Sequence, residues 1–184
     1  MTTRVLITTA VMLATAPGVP VAQSEDLAIS VLEVGDAHVV TARFSVSASP
    51  AAVRNVLTDY ANIPRFMPDV RTSRVLERRD GHARVEQELV STYLFFSKRI
   101  HLVLDIEEGT DSIHFRDCSN TSFVQYEGAW HVNANGEQTE IGYELTAQPD
   151  FRVPGFVLRG LLNRDASVMI DRLRAEIHAR ALSP

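Results

Sequence analysis

Hydrophobic and polar positions along this chain change period three times, and each change marks a new kind of element. Residues 27–34 and 38–46 alternate around Gly35-Asp36, with Val40, Ala42, Phe44 and Val46 on one face. This is the pattern of a β-hairpin. The period then lengthens: Ser49 suits an N-cap and Pro50 a first helical position, so a short helix is predicted from Pro50 to about Asp59. Asn62-Ile63-Pro64 starts a second short helical turn that ends before Pro68. Six more alternating runs follow at residues 71–78, 83–92, 94–107, 112–118, 123–133 and 139–148, separated by turn chemistry such as Asp80-Gly81 and Asn135-Gly136. In the third run Leu94, Phe96, Ile100, Leu102, Leu104 and Ile106 share a face, with Arg99, His101, Asp105 and Glu107 opposite. Tyr126, Trp130 and Val132 oppose Gln125, Glu127 and His131, and Ile141, Tyr143 and Leu145 oppose Glu140 and Glu144. Strands of this kind have one dry face and one wet face.

The last change of period comes at residues 154–181. Pro154-Gly155 opens a stretch with no further proline, in which Leu158, Leu161, Leu162, Ala166, Val168, Met169, Leu173 and Ile177 recur at helical spacing. The same projection puts Asp165, Arg172 and Glu176 inside the apolar stripe, where a charge needs a partner, water or a ligand. An antiparallel sheet with one dry face is closed most economically if it curls and clasps this helix. The predicted class is therefore α+β: a curved antiparallel β-sheet wrapped around a long C-terminal α-helix, with two short helices after the second strand. A curved sheet and a single helix leave space between them, and small-molecule pockets form in such mouths.

The first residues change the picture of where the protein works. Arg4 precedes an apolar run from Val5 to Ala14, and small residues cluster around Ala14-Thr15-Ala16 and Val21-Ala22. Residues 1–23 are thus expected to be a Sec-type signal peptide, with 24–184 as a single ligand-binding domain, periplasmic or secreted. No cysteine lies near the expected cut to carry a lipid. Of the 18 basic residues all but Lys98 are Arg, and they are dispersed in a chain of net charge −5. Nucleic acid is not an expected partner. The lone Cys118 is expected to be an inert packed thiol. The six histidines show no metal-ligand spacing. No G-x-S-x-G or phosphate-cradling glycine run is present, so neither a metal nor a cofactor is expected and no serine nucleophile is nominated.

Two kinds of residue carry the candidate chemistry. Asp165 and Arg172, two turns apart, are candidates for polar groups in a pocket, where an Arg grips a carboxylate or phosphate through paired hydrogen bonds; alternatively they satisfy each other or reach water. Glu176 has Arg172 and Arg180 at four-residue spacing as partners. Tyr60, Phe66, Met67, Phe96, Tyr126, Trp130 and Tyr143, with Leu162 and Met169 on the helix, are candidates to line a greasy cavity, against the alternative of plain core. Tyr93, Phe95 and Phe96, and likewise Phe66-Met67, are alternatively tips that touch a membrane transiently.

The run FSVSASPAAVRNVLTDYANIPRFMPDVRTSRVLE, then EGAWHV and YELTAQPDFRVPGFVLRGLLNRD, resembles the helix-grip (START, or SRPBCC) superfamily, which includes START domains, birch-pollen-allergen-like proteins and bacterial polyketide cyclase/dehydrase relatives. Its sharpest signal is V-x-A-S-P followed by L-T-D-Y-x-x-x-P-x-F-M-P, and within the superfamily it is most similar to the coenzyme-Q-binding, START-like branch. The resemblance implies the helix-grip fold and a ligand tunnel between sheet and last helix, with residues 57–60 and 64–68 at its mouth and Trp130 and Tyr143 in its walls. The export segment sets the chain apart from the quinone-binding relatives. The function expected is that of a binding protein holding a hydrophobic small molecule or lipid, such as a lipid, isoprenoid or quinone. The alternatives are a cyclase/dehydrase-type enzyme acting on a polyketide-like or aromatic substrate in the same cavity, and an interaction module with a filled interior.

Overall fold

A computed structural model of the chain describes residues 27–93 and 96–182. The expected signal peptide, residues 1–23, lies outside the described residues. Eight strands form one antiparallel sheet: β1 (Ala28–Val34), β2 (Ala37–Val46), β3 (Val70–Arg79), β4 (His82–Tyr93), β5 (Phe96–Glu108), β6 (Ser112–Asp117), β7 (Phe123–Asn135) and β8 (Gln138–Pro149). Their spatial order is β1-β2-β8-β7-β6-β5-β4-β3. From β3 to β8 the chain meanders between neighbours, and β2 then pairs with β8, so the link from β2 to β3 must cross the whole width of the sheet. That link holds α1 (Pro50–Leu57), a 3-10 turn (Tyr60–Asn62) and α2 (Ile63–Phe66).

The local chemistry explains these boundaries. Ser49 caps α1, its Oγ accepting from the Ala52 N–H at 3.2 Å, and Pro50 fills the first position where no N–H is needed. The buried Thr139 hydroxyl of β8 donates to the Ala48 carbonyl at 2.6 Å and pins the entry to α1 against the sheet. Gly136 turns the β7–β8 hairpin at φ 63°, a left-handed conformation costly for any side chain. Gly128 serves a different purpose. A Cβ at this position would run into the Glu144 carbonyl oxygen and the Phe115 ring, so glycine allows β7 and β8 to lie tightly together with that ring over them.

The long C-terminal helix α3 (Gly155–Ala181) lies on the dry face of the sheet. Its first turns bury Val157, Leu158 and Leu161, and its later turns bury Ala166, Ile170, Leu173 and Ile177. At 3.6 residues per turn these two sets lie on different faces of the helix. The buried face therefore shifts along α3 instead of forming one straight stripe. Ile170, outside the expected stripe, is fully buried at 0% exposure. Arg172, expected inside it, is exposed. Cys118 also departs from expectation: it is exposed, with its thiol donating to the Val103 carbonyl at 3.1 Å.

The Gly128 contact yields a stability prediction. Gly128→Ala should cost about 2 kcal/mol or more, in the range of overpacked cores. Urea denaturation checks this, and a variant as stable as the parent would show that β7 has room to move.

Candidate functional site: a cavity under the C-terminal helix

Between the sheet and α3 lies a cavity of about 280 Å³, near the lower end of the usual range for small-molecule sites. Each wall follows from the topology. The β2–β3 link contributes Tyr60, Phe66, Met67 and Asp69; β4 and β5 contribute Gln87, Leu89, Ser91 and Lys98; β6, β7 and β8 contribute Phe115, Tyr126, Trp130 and Tyr143; α3 contributes Leu162, Asp165 and Met169. Of the residues singled out from sequence, Tyr60, Phe66, Met67, Tyr126, Trp130, Tyr143, Leu162, Asp165 and Met169 thus share one cavity. Phe96 opens β5, and its side chain lies outside the described residues. Arg172 does not line the cavity, because the buried face has turned away from it by that point along α3.

The aromatic residues form a continuous panel. Trp130 and Tyr143 have ring centroids 4.4 Å apart, Phe115 sits 6.4 Å from Tyr143 and 6.1 Å from Tyr126, and Phe123 is 4.7 Å from Tyr126. Cross-strand registry places the first pair, since Trp130 of β7 lies directly opposite Tyr143 of β8. Tyr60 is held differently. Its hydroxyl donates to Glu108 Oε1 at 2.9 Å, and Arg78 grips the same carboxylate at 3.1 Å while reaching the Thr58 carbonyl at 3.2 Å. This strut ties the β2–β3 link to the ends of β3 and β5. Burial pushes the Tyr60 phenol far above its ordinary range, and the Glu108 charge adds to the effect.

Asp165 is the polar centre of the cavity. Ser91, itself 6% exposed, donates its hydroxyl to Asp165 Oδ2. Arg164 donates to Asp165 Oδ1 at 3.0 Å and to the Thr92 carbonyl at 2.9 Å. The partners of Asp165 are therefore Ser91 and Arg164, and not Arg172. Burial raises the Asp165 carboxyl above the usual range, and this outweighs the lowering by Ser91 and Arg164. Burial likewise raises Tyr126 and Tyr143, with the charge of Asp165 contributing to both. Glu176 pairs with Arg180 at 2.7 Å, and Arg180 also reaches Asp59 at 2.8 Å. Among the described residues no group of three or more His, Cys, Asp or Glu side chains is placed to hold a metal ion.

The sequence reading missed Ser91, Gln87, Lys98 and Phe115. A signal for two of them existed: Ala83, Val85, Gln87, Leu89 and Ser91 alternate on the inward face of β4, so Gln87 and Ser91 are polar residues at dry positions.

Residues 46–174 match the family described as polyketide cyclase/dehydrase and lipid transport. The chain belongs to this family. Among solved structures, this member of the polyketide cyclase/dehydrase family is similar to a START superfamily protein from Mycobacterium smegmatis, with 14% identity, TM-score 0.68, and coverage of 77% of this chain and 97% of the other. It is also similar to the Zhui aromatase/cyclase from Streptomyces sp. R1128, with 16% identity, TM-score 0.65, and coverage of 78% and 95%. A STAR-related lipid transfer protein from Xanthomonas axonopodis gives 15% identity, TM-score 0.61, and coverage of 83% and 98%. No curated protein matches the chain. At these identities the likeness shows the fold, which is the helix-grip fold expected from sequence.

Asp165 gives this family member a pH signature. A carboxyl whose folded-state pKa is raised keeps its proton to higher pH in the native state than in the unfolded chain. Its ionisation therefore removes stability as pH rises through the raised value, and the penalty is absent below the ordinary Asp range. Asp165→Asn should accordingly gain stability relative to the parent as pH climbs from acid to neutral. Urea midpoints across that pH series test it, and a difference that does not change with pH would refute the assigned ionisation.

Proposed function

We propose that this protein is an exported carrier that holds a hydrophobic or amphipathic small molecule, a lipid, isoprenoid or quinone, between the sheet and α3. The observation that carries this reading is the cavity itself, walled by the panel of Phe115, Tyr126, Trp130 and Tyr143 and by adaptable Met67 and Met169. Tyr60, Phe66, Leu162 and Asp165 complete the contacts with the ligand. The apolar segment at residues 5–14 supports export. Phe156, 71% exposed in the first turn of α3 two residues before the cavity-lining Leu158, supports a transient touch on a membrane during loading. The lipid transfer named for the Xanthomonas protein accords with this reading.

A second reading is favoured by one observation. Asp165 is a carboxyl held above its usual range in an apolar cavity beside Ser91, which is the setting for general acid–base chemistry of a cyclase/dehydrase type. The aromatase/cyclase named for the Streptomyces neighbour accords with that alternative.

The carrier is tested by refolding the chain from denaturant, exposing it to a total lipid extract, repurifying it and identifying what co-elutes by native and denaturing mass spectrometry. A stoichiometric lipophilic molecule is expected, and an empty protein would sink the carrier. Leu162→Trp should fill the cavity, weaken this binding about tenfold or more and leave the far-ultraviolet circular dichroism unchanged. Conversion of the bound molecule on incubation would move the assignment to the enzyme. Expression of the whole chain in a Gram-negative host, followed by N-terminal sequencing of the periplasmic protein, checks export, with a new terminus near Ser24 expected.

A further inference from the structure

The polar groups facing the cavity are not those an anionic head group requires. Besides the tyrosines, the ionisable residues lining it are Asp69, Asp165 and Lys98. The Lys98 ammonium lies over the Phe151 ring, 4.7 Å from its centroid. Arg164 is committed to the Thr92 carbonyl and to Asp165 Oδ1. Arg172, the residue suited to grip a carboxylate or phosphate, faces solvent. Among the described residues an anion placed here would meet two carboxylates against the single ammonium of Lys98, and no guanidinium free to pair with it.

The same groups define what does fit. Among the described residues each Asp165 oxygen accepts one hydrogen bond, Oδ2 from Ser91 and Oδ1 from Arg164. A carboxylate offers about four lone-pair sites, so each oxygen has room for another donor. Its charge is already balanced by Arg164, and burial holds its carboxyl above the ordinary range, so it does not require a second cation. Tyr126 and Tyr143 are packed through their rings, while among the described residues neither hydroxyl has a hydrogen-bond partner. Both line the same cavity as Asp165, whose charge adds to burial in raising them. A ligand group that donates to Asp165 and accepts from a tyrosyl O–H pairs with both kinds of atom, and the simplest such group is a hydroxyl.

We propose that the molecule held in this cavity carries an alcohol or phenol on an apolar body, its O–H donating to Asp165 and its oxygen accepting from Tyr126 or Tyr143. The inference rests on the carrier reading and narrows its ligand class. A fatty acid or phospholipid head would repel Asp165 and Asp69, and a ketone or quinone, which only accepts, would leave the free lone pairs of Asp165 unused.

The test uses the full chain, refolded from denaturant and loaded with Nile red, a neutral lipophilic dye. Decanol, decanoate and decanal are then compared as displacers at neutral pH. Decanol should displace the dye at about one-tenth or less of the concentration needed for either competitor, the scale of one hydrogen bond to a charged group. In Asp165→Asn, whose amide can donate to a carboxylate, the gap between decanol and decanoate should shrink to about threefold or less. In Tyr126→Phe with Tyr143→Phe, the inhibition constant of decanol, corrected for the variant's own affinity for Nile red, should rise about threefold or more. Dye displacement by decanoate or decanal as efficient as by decanol overturns the hydroxyl assignment and leaves the carrier standing. Failure of the parent protein to bind Nile red overturns both.

Discussion

Burial of α3 against the concave face of the sheet is the contact on which the rest of the molecule depends. Seven residues of this helix are buried, and at about 2 kcal/mol for each large aliphatic side chain their transfer from water is worth on the order of 10 kcal/mol. That matches the whole net stability of an ordinary domain. Without the helix, the inward faces of β2, β4, β5 and β8, carrying Phe44, Val85, Leu102 and Ile141, would lie open to solvent. The sheet needs α3 to close it, and α3 has too little apolar continuity on any one face to be stable alone.

The shift of the buried face along α3 is also what makes room for a ligand. The later turns, with Ile170 and Ile177, pack directly into the core, whereas the half-buried Leu162, Asp165 and Met169 border empty space. The cavity is kept open from the other side by the β2–β3 link, which must cross the sheet because β2 pairs with β8. Tyr60, Glu108 and Arg78 tie that link to the strand ends, and Arg180 ties it to α3 through Asp59. Partly exposed ion pairs of this kind add little stability. Their contribution is geometric: they fix where Tyr60, Phe66 and Met67 stand along the rim.

The polar chemistry of the site is concentrated on one residue. Asp165 joins β4 to α3 through Ser91, is compensated by the adjacent Arg164, and lines the same chamber as Tyr126 and Tyr143. The same arrangement can orient a bound molecule or move a proton, and a fold by itself does not choose between the two. What separates these outcomes is the ligand placed against Asp165.

Most of the architecture was legible in the sequence alone. The strands, the capped α1 and the long α3 follow from periods of two and 3.6 and from turn residues, which are local properties of the chain. The candidate lining was legible for the same reason: Tyr126, Trp130 and Tyr143 stand on dry faces, and Leu162, Asp165 and Met169 on a helical stripe. What the sequence could not decide was the phase of that stripe beyond Asp165. A helix laid across a curved sheet buries different faces at its two ends, so Arg172 went to solvent, Ile170 went to the core, and Asp165 found its partners in Arg164 and in Ser91, 74 residues away. Local periodicity specifies which residues are apolar together; only the tertiary packing of helix on sheet decides which polar group is left facing the space between them.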